Sequence, residues 1–142
     1  MAITYTNIAD QVVDSLNTLI ADEFSVPIYV DEHRGNQSFL IVPQEDELEQ
    51  SLASGQVRNY TTLISYELNS GGNYGRNNFK RVSTVSERLK RLLYDNKNYS
   101  PSGTYKFQDG AVDSITYERD PDNPDVLRAL ATFACTIVEI IA

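Results

Sequence analysis

Between Ser70 and Arg81 the chain reads SGGNYGRNNFKR, three glycines within five residues and then three cations. The stretch follows a run with strand character and precedes one with helical periodicity. In that setting helix N-terminal amides and basic side chains can converge on a phosphate. A Walker-type loop needs a second glycine five residues after the first, then Lys and Ser or Thr. Five residues after Gly71 stands Arg76, and five after Gly72 stands Asn77, so that pattern fails. The dinucleotide fingerprint fails too, because Gly71, Gly72 and Gly75 do not have its spacing. What is left is a hydrogen-bonding loop with one aromatic, Tyr74, and one strong charge, Arg76; such loops carry contacts more often than chemistry. A non-standard site for a small anion stays open as the alternative.

Other chemistry is sparse. Asp31 and His33 would share one side of an extended segment, but two ligands are too few for a metal and His33 is the only histidine. The sequence reads this stretch as a surface turn. The run ERDPDNPD resembles an acidic calcium loop without its sixth-position Gly or terminal Glu, and two prolines stiffen it. One His in a turn does not build a Ser/His/Asp set. The carboxylates fall in surface clusters that single out no acid–base pair. Cys135, inside TFACTIVEI, reads as a small buried side chain. The expectation is a protein that is not an enzyme, with no catalytic residue, metal or cofactor. Nine of the fourteen aromatics are Tyr, a residue enriched where a partner covers a surface.

Several elements must position these residues. Ile8, Val12, Leu16, Leu19 and Ile20 recur at helical spacing, predicting a helix from Ile8 to about Asp22, capped by Thr6 or Asn7. Val26 to Glu32 and Ser38 to Pro43 read as a hairpin. QEDELEQSLASGQ reads as an exposed connection with one helical turn near Leu48 and Leu52. Arg58 to Leu68 is the clearest strand, with Tyr60, Thr62, Ile64 and Tyr66 on one face. Phe79, Val82, Val85, Leu89, Leu92 and Leu93 mark a second helix, although a capping box at Thr84 and Glu87 argues for a later start. GTYKFQDGAVDSITYERD reads as two strands joined at Asp109-Gly110. Val126 to Ile140 fits either a helix or a strand, and its β-branched, aromatic centre favours the strand. The predicted class is α+β: an antiparallel or mixed sheet of five or six strands with two helices on one face, in a single domain over residues 1–142.

With 142 residues the chain can bury a substantial core, roughly 70% of its unfolded surface. No apolar run approaches the roughly 18 residues of a membrane helix, and the N-terminus lacks the pattern of a signal peptide. A cytosolic or cytosol-assembled protein is expected. The net charge of −8 argues against nucleic acid as the main partner. Its distribution is uneven: residues 1–50 hold ten acids and one base, whereas residues 76–106 hold eight bases and two acids. A solvated helix face explains the basic segment. So does a self-complementary subunit whose basic face meets the acidic face of a neighbour, head to tail.

The order of these segments carries a resemblance. The helix IADQVVDSLNTLIA, a hairpin, the long strand RNYTTLISYEL, a glycine-rich loop, the basic helix RVSTVSERLKRLL and closing strands together resemble the tail terminator (tail completion) proteins of long-tailed bacteriophages. The resemblance covers nearly the whole chain and rests on element order and texture. It implies an α+β subunit of a homohexameric ring in the virion's tail or neck, assembled in the host cytoplasm. That ring caps the tail tube protein and joins it to the head–tail connector, with no membrane and with DNA only passing through the lumen. It also implies residues. Gly71, Gly72, Asn73, Tyr74, Gly75, Arg76, Asn77 and Asn78 become candidates for tube or channel contact. Arg76, Lys80, Arg81, Arg88 and Arg91 become candidates for the subunit interface, opposite Glu45, Asp46, Glu47 and Glu49. Another neck or head–tail joining protein, and a cytosolic small-anion-binding module, are the rival readings.

Overall fold

The computed structural model describes residues 3, 5–70, 76–99 and 107–140. The chain opens with helix α1, Ile8–Glu23. Its first turn is capped by Asn7, whose Oδ1 accepts from the Asp10 N–H at 3.2 Å. Five strands and a second helix follow: β1 Ile28–Tyr29, β2 Gln37–Leu52, β3 Gly55–Asn69, α2 Arg76–Asp95, β4 Gln108–Arg119 and β5 Val126–Ile140. The strands form one sheet in the order β1-β2-β3-β5-β4. All neighbours are antiparallel except β1 and β2, so the sheet is mixed.

Both helices lie on the same face. Phe39, Ile41, Tyr60, Ile64, Tyr66, Ala129, Ala131, Phe133 and Ile137 alternate along their strands and are buried there against Val12, Leu16, Ile20, Val82, Leu89 and Leu93. Each large apolar side chain in that layer contributes roughly 1.5–3 kcal/mol through burial. Ring contacts tie the layers at both sides of the core. Phe24, Phe39 and Tyr66 follow one another at 5.1 and 5.2 Å, and Tyr99, Phe107 and Phe133 at 6.0 and 5.5 Å. The Val126–Ile140 segment is therefore a strand, and its Ala129, Ala131, Phe133, Cys135, Ile137 face is the one that packs inward.

Four local expectations are corrected. The expected hairpin of Val26–Glu32 with Ser38–Pro43 is a parallel pair, with Ile28 opposite Phe39, because residues 30–36 double back before β2 begins. Within this return Gly35 takes a φ of +74°, and the Phe39 N–H donates to the Pro27 carbonyl at 2.9 Å. The acidic connection after Pro43 is instead the second half of β2, paired with β3 as far as Leu52 opposite Gly55. Strand pairing supplies its backbone partners, so it needs no buried face of its own. The capping box is not used: α2 starts at Arg76, and Thr84 sits mid-helix with its hydroxyl donating to the Lys80 carbonyl at 2.7 Å. Asp109-Gly110 is no hairpin turn but a bulge inside β4. There the register shifts between Gln108 and Ala111, Asp109 has φ 53°, and the Gly110 N–H donates to the Lys97 carbonyl at 2.9 Å. Most of the strand expected before that turn falls outside the described residues.

Candidate assembly surfaces

Helix α2 carries the basic surface. Gly71, Gly72, Asn73, Tyr74 and Gly75 lie outside the described residues, as do the side chains of Arg76 and Asn77, whose backbone opens the helix. Lys80, Arg81, Arg88 and Arg91 are exposed, but their situations differ. Arg88 is held within the chain: its Nε donates to the Glu23 carboxylate at 2.7 Å and its Nη2 to the Glu23 carbonyl at 2.6 Å. Its guanidinium also stands 4.6 Å from the Phe24 ring centroid. Arg88 thus fastens α2 to the end of α1. The Tyr66 phenol donates to Gln37 Oε1 at 2.6 Å; burial raises its pKa and the nearby Arg81 charge opposes that rise. Lys90 pairs with Glu87 at 2.8 Å. Arg91 has only a 3.7 Å contact with exposed Asp95. It also flanks Tyr94, which is 59% exposed, with Lys97 on the same ring; the charges stand 5.8 and 5.0 Å from the centroid.

The acidic surface is an arm. Beyond Pro43, β2 is exposed at every residue, and with the start of β3 and the end of β5 it makes a three-stranded extension. The arm's register places Glu45 opposite Thr61 and Glu47 opposite Asn59, on the face away from the helices. Asp46 points to the other side, where the Arg58 Nε donates to it at 2.6 Å. That side closes over the start of α1 to leave a cleft of about 360 Å³ lined by Asn7, Asp46, Arg58, Tyr60 and Glu139 among others. Burial, reinforced by Asp46 and Glu139, pushes the Tyr60 phenol up to about 12, so it is a neutral hydrogen-bonding group. Glu45, Glu47 and Glu49 have no intrachain ion pair among the described residues. Of the four arm acids read from sequence, three therefore face outward without a countercharge and one is neutralised in place.

Sequence reasoning missed a polar cluster. His33 is not in an exposed turn: its Nδ1 lies 2.7 Å from Ser38 Oγ and its Nε2 2.8 Å from Ser65 Oγ. Both hydroxyls are buried, so no substrate reaches them, and the ring pins the 30–36 return to the sheet. Glu67 stands 3.8 Å from Nδ1 and is bound by Arg128 at 2.9 Å. Arg128 also holds Asp120 at 2.8 Å. Asp120, from the run that resembled a calcium loop, accepts the Asp122 N–H and the Arg128 guanidinium, and both lower its pKa. Among the described residues no group of three or more His, Cys, Asp or Glu is placed to hold a metal ion. Cys135 is buried, and burial raises its thiol to about 12, far from the range of a reactive thiolate. The residues that the arrangement sets apart are charged and exposed, suited to contact another macromolecule.

No protein-family model matches the sequence, and a search of curated proteins finds no match. Among solved structures, the fold is similar to that of a chain in a structure titled "Virion of native gene transfer agent (GTA) particle". The likeness has a TM-score of 0.50 at 10% identity and covers 92% of this chain and 91% of the other. At that identity it is a likeness of fold.

Proposed function

We propose that the protein is a structural component of a phage-type virion: a tail terminator that caps the tail tube as a homohexameric ring and joins it to the head connector. The observation that carries this reading is the fold likeness to a virion chain, which spans both chains almost end to end. The placement of charge supports it. Glu45 and Glu47 of the arm lie on the face away from the helices, whereas the cations of α2 lie on the helix layer. A contact between such unlike surfaces is head-to-tail, and head-to-tail contacts that close make rings. The overall charge of −8 suits a ring through which DNA passes without being gripped. In this reading the Gly71–Asn78 segment contacts the tube or lines the channel, and the tube and connector proteins are the partners.

The test is a capping assay. Tail tube subunits from the same virion are polymerised with and without the purified protein and viewed by electron microscopy. The reading expects short tubes with a ring at one end. Tubes that elongate unchanged, while the protein binds only the connector, would shift the assignment to another neck or head–tail joining protein.

A further inference from the structure

The tip of the arm is not only acidic. Leu52, Gly55 and Ile140 stand in one cross-strand row, and Gln50, Val57 and Val138 in the next, on the same face as Glu45 and Glu47. Leu52 is 37% exposed and Ile140 66%. The tip is therefore an apolar strip bordered by carboxylates that have no ion-pair partner among the described residues. Such a strip calls for a partner that is apolar at its centre and cationic at its edge. Two arms cannot supply that to each other across a two-fold axis, because like charges would face like.

Among the described residues, a surface of the required kind lies at the end of α2. Tyr94 is exposed and flanked by Arg91 and Lys97, an aromatic plate between two cations. Tyr and Arg are the residue types that dominate interface energetics. We infer that the back face of the arm tip docks on the Arg91–Tyr94–Lys97 cluster of a second copy, Tyr94 covering the Leu52–Ile140 row and the two cations meeting Glu45 and Glu47. The inference rests on the self-assembling reading above and names the contact that drives it. The geometry makes the contact heterologous, since one surface lies on the face away from the helices and the other on the helix layer. It also assigns the contact to the far end of α2, leaving Arg88 to the subunit's own architecture.

The experiment uses charge-swapped full-length chains and sedimentation velocity. Glu45→Lys with Glu47→Lys makes one variant, and Arg91→Glu with Lys97→Glu makes the other; circular dichroism checks that both stay folded. Each variant alone should sediment as the 16.0 kDa monomer. The two mixed in equal amounts should recover an even-membered ring, because every junction is again opposite in sign. Variants that assemble as the wild type does would overturn the contact and leave these surfaces to a different protein. Variants that fail alone and also fail together would overturn it as well. A wild-type chain that stays monomeric would instead remove the self-assembly reading itself, and this contact with it.

Discussion

At the scale of single residues, His33 and Arg88 show what spacing along the chain hides. The only histidine looked like part of a turn, because its two serine partners are 5 and 32 positions away in sequence. Replacing His33 with Ala leaves the buried Ser65 hydroxyl without its partner and should cost about 1–3 kcal/mol of stability. A pH signature accompanies it. Burial holds the His33 pKa below its ordinary 6.5, against the nearby Glu67 carboxylate, which pulls it up; the Arg128 charge adds to the lowering. The unfolded chain then takes up the proton first as pH falls. His33 therefore contributes stability that is complete above about pH 6.5 and is lost as pH drops through the lower folded value. Urea midpoints measured between about pH 7 and pH 5 should fall for the wild type and less for His33→Ala; parallel slopes would assign the effect to other groups. Arg88 is an interface candidate through the resemblance, and its place in the basic segment is plain in the sequence. Its partners, Glu23 and Phe24, lie 65 and 64 positions back and did not announce themselves. Arg88→Glu should lower stability by about 1 kcal/mol, while Arg91→Glu should leave it within about 0.5 kcal/mol. Equal losses in thermal melts would contradict the division of roles.

At the scale of elements, the core-facing segments were legible and the arm was not. Helix α1, the central strand β3 and the strand β5 all have one buried face, and their apolar periodicity states it. Residues 44–52 have no buried face, so no alternation marks them as strand; pairing with β3 alone holds them extended. The bulge at Asp109-Gly110 misled for a related reason, since the residue pair that favours hairpin turns also tolerates the left-handed backbone a bulge can use. The arm depends on Gly55. A Cβ built there would sit 1.9 Å from the Glu139 carbonyl oxygen, a backbone atom that cannot swing aside. Gly55→Ala should force β3 and β5 apart at the tip. Hydrogen exchange should then accelerate in residues 55–59 and 136–140, with little change in the rest of β3. Unchanged exchange at the tip would mean that the strands tolerate the side chain and that the close approach is not what fixes the arm.

At the scale of the whole molecule, two layers leave one sheet face uncovered by helices; Glu45 and Glu47 stand on that face, whereas the α2 cations stand on the helix layer, which also carries the exposed acids of α1. The α+β class was readable from the sequence, and so was the basic segment that becomes α2. The sheet order was not, because the parallel β1–β2 pair and the placement of β5 between β3 and β4 are tertiary outcomes with no local signal. In the proposed function this asymmetry closes copies of the chain into a ring. Native mass spectrometry of the purified full-length protein tests it most directly, across a range of concentrations and at low salt. A ring of six gives a discrete species of about 96 kDa, six times the 16.0 kDa chain, that dissociates as ionic strength rises. A 16.0 kDa monomer at every concentration, or a symmetric dimer that no salt disturbs, would contradict it.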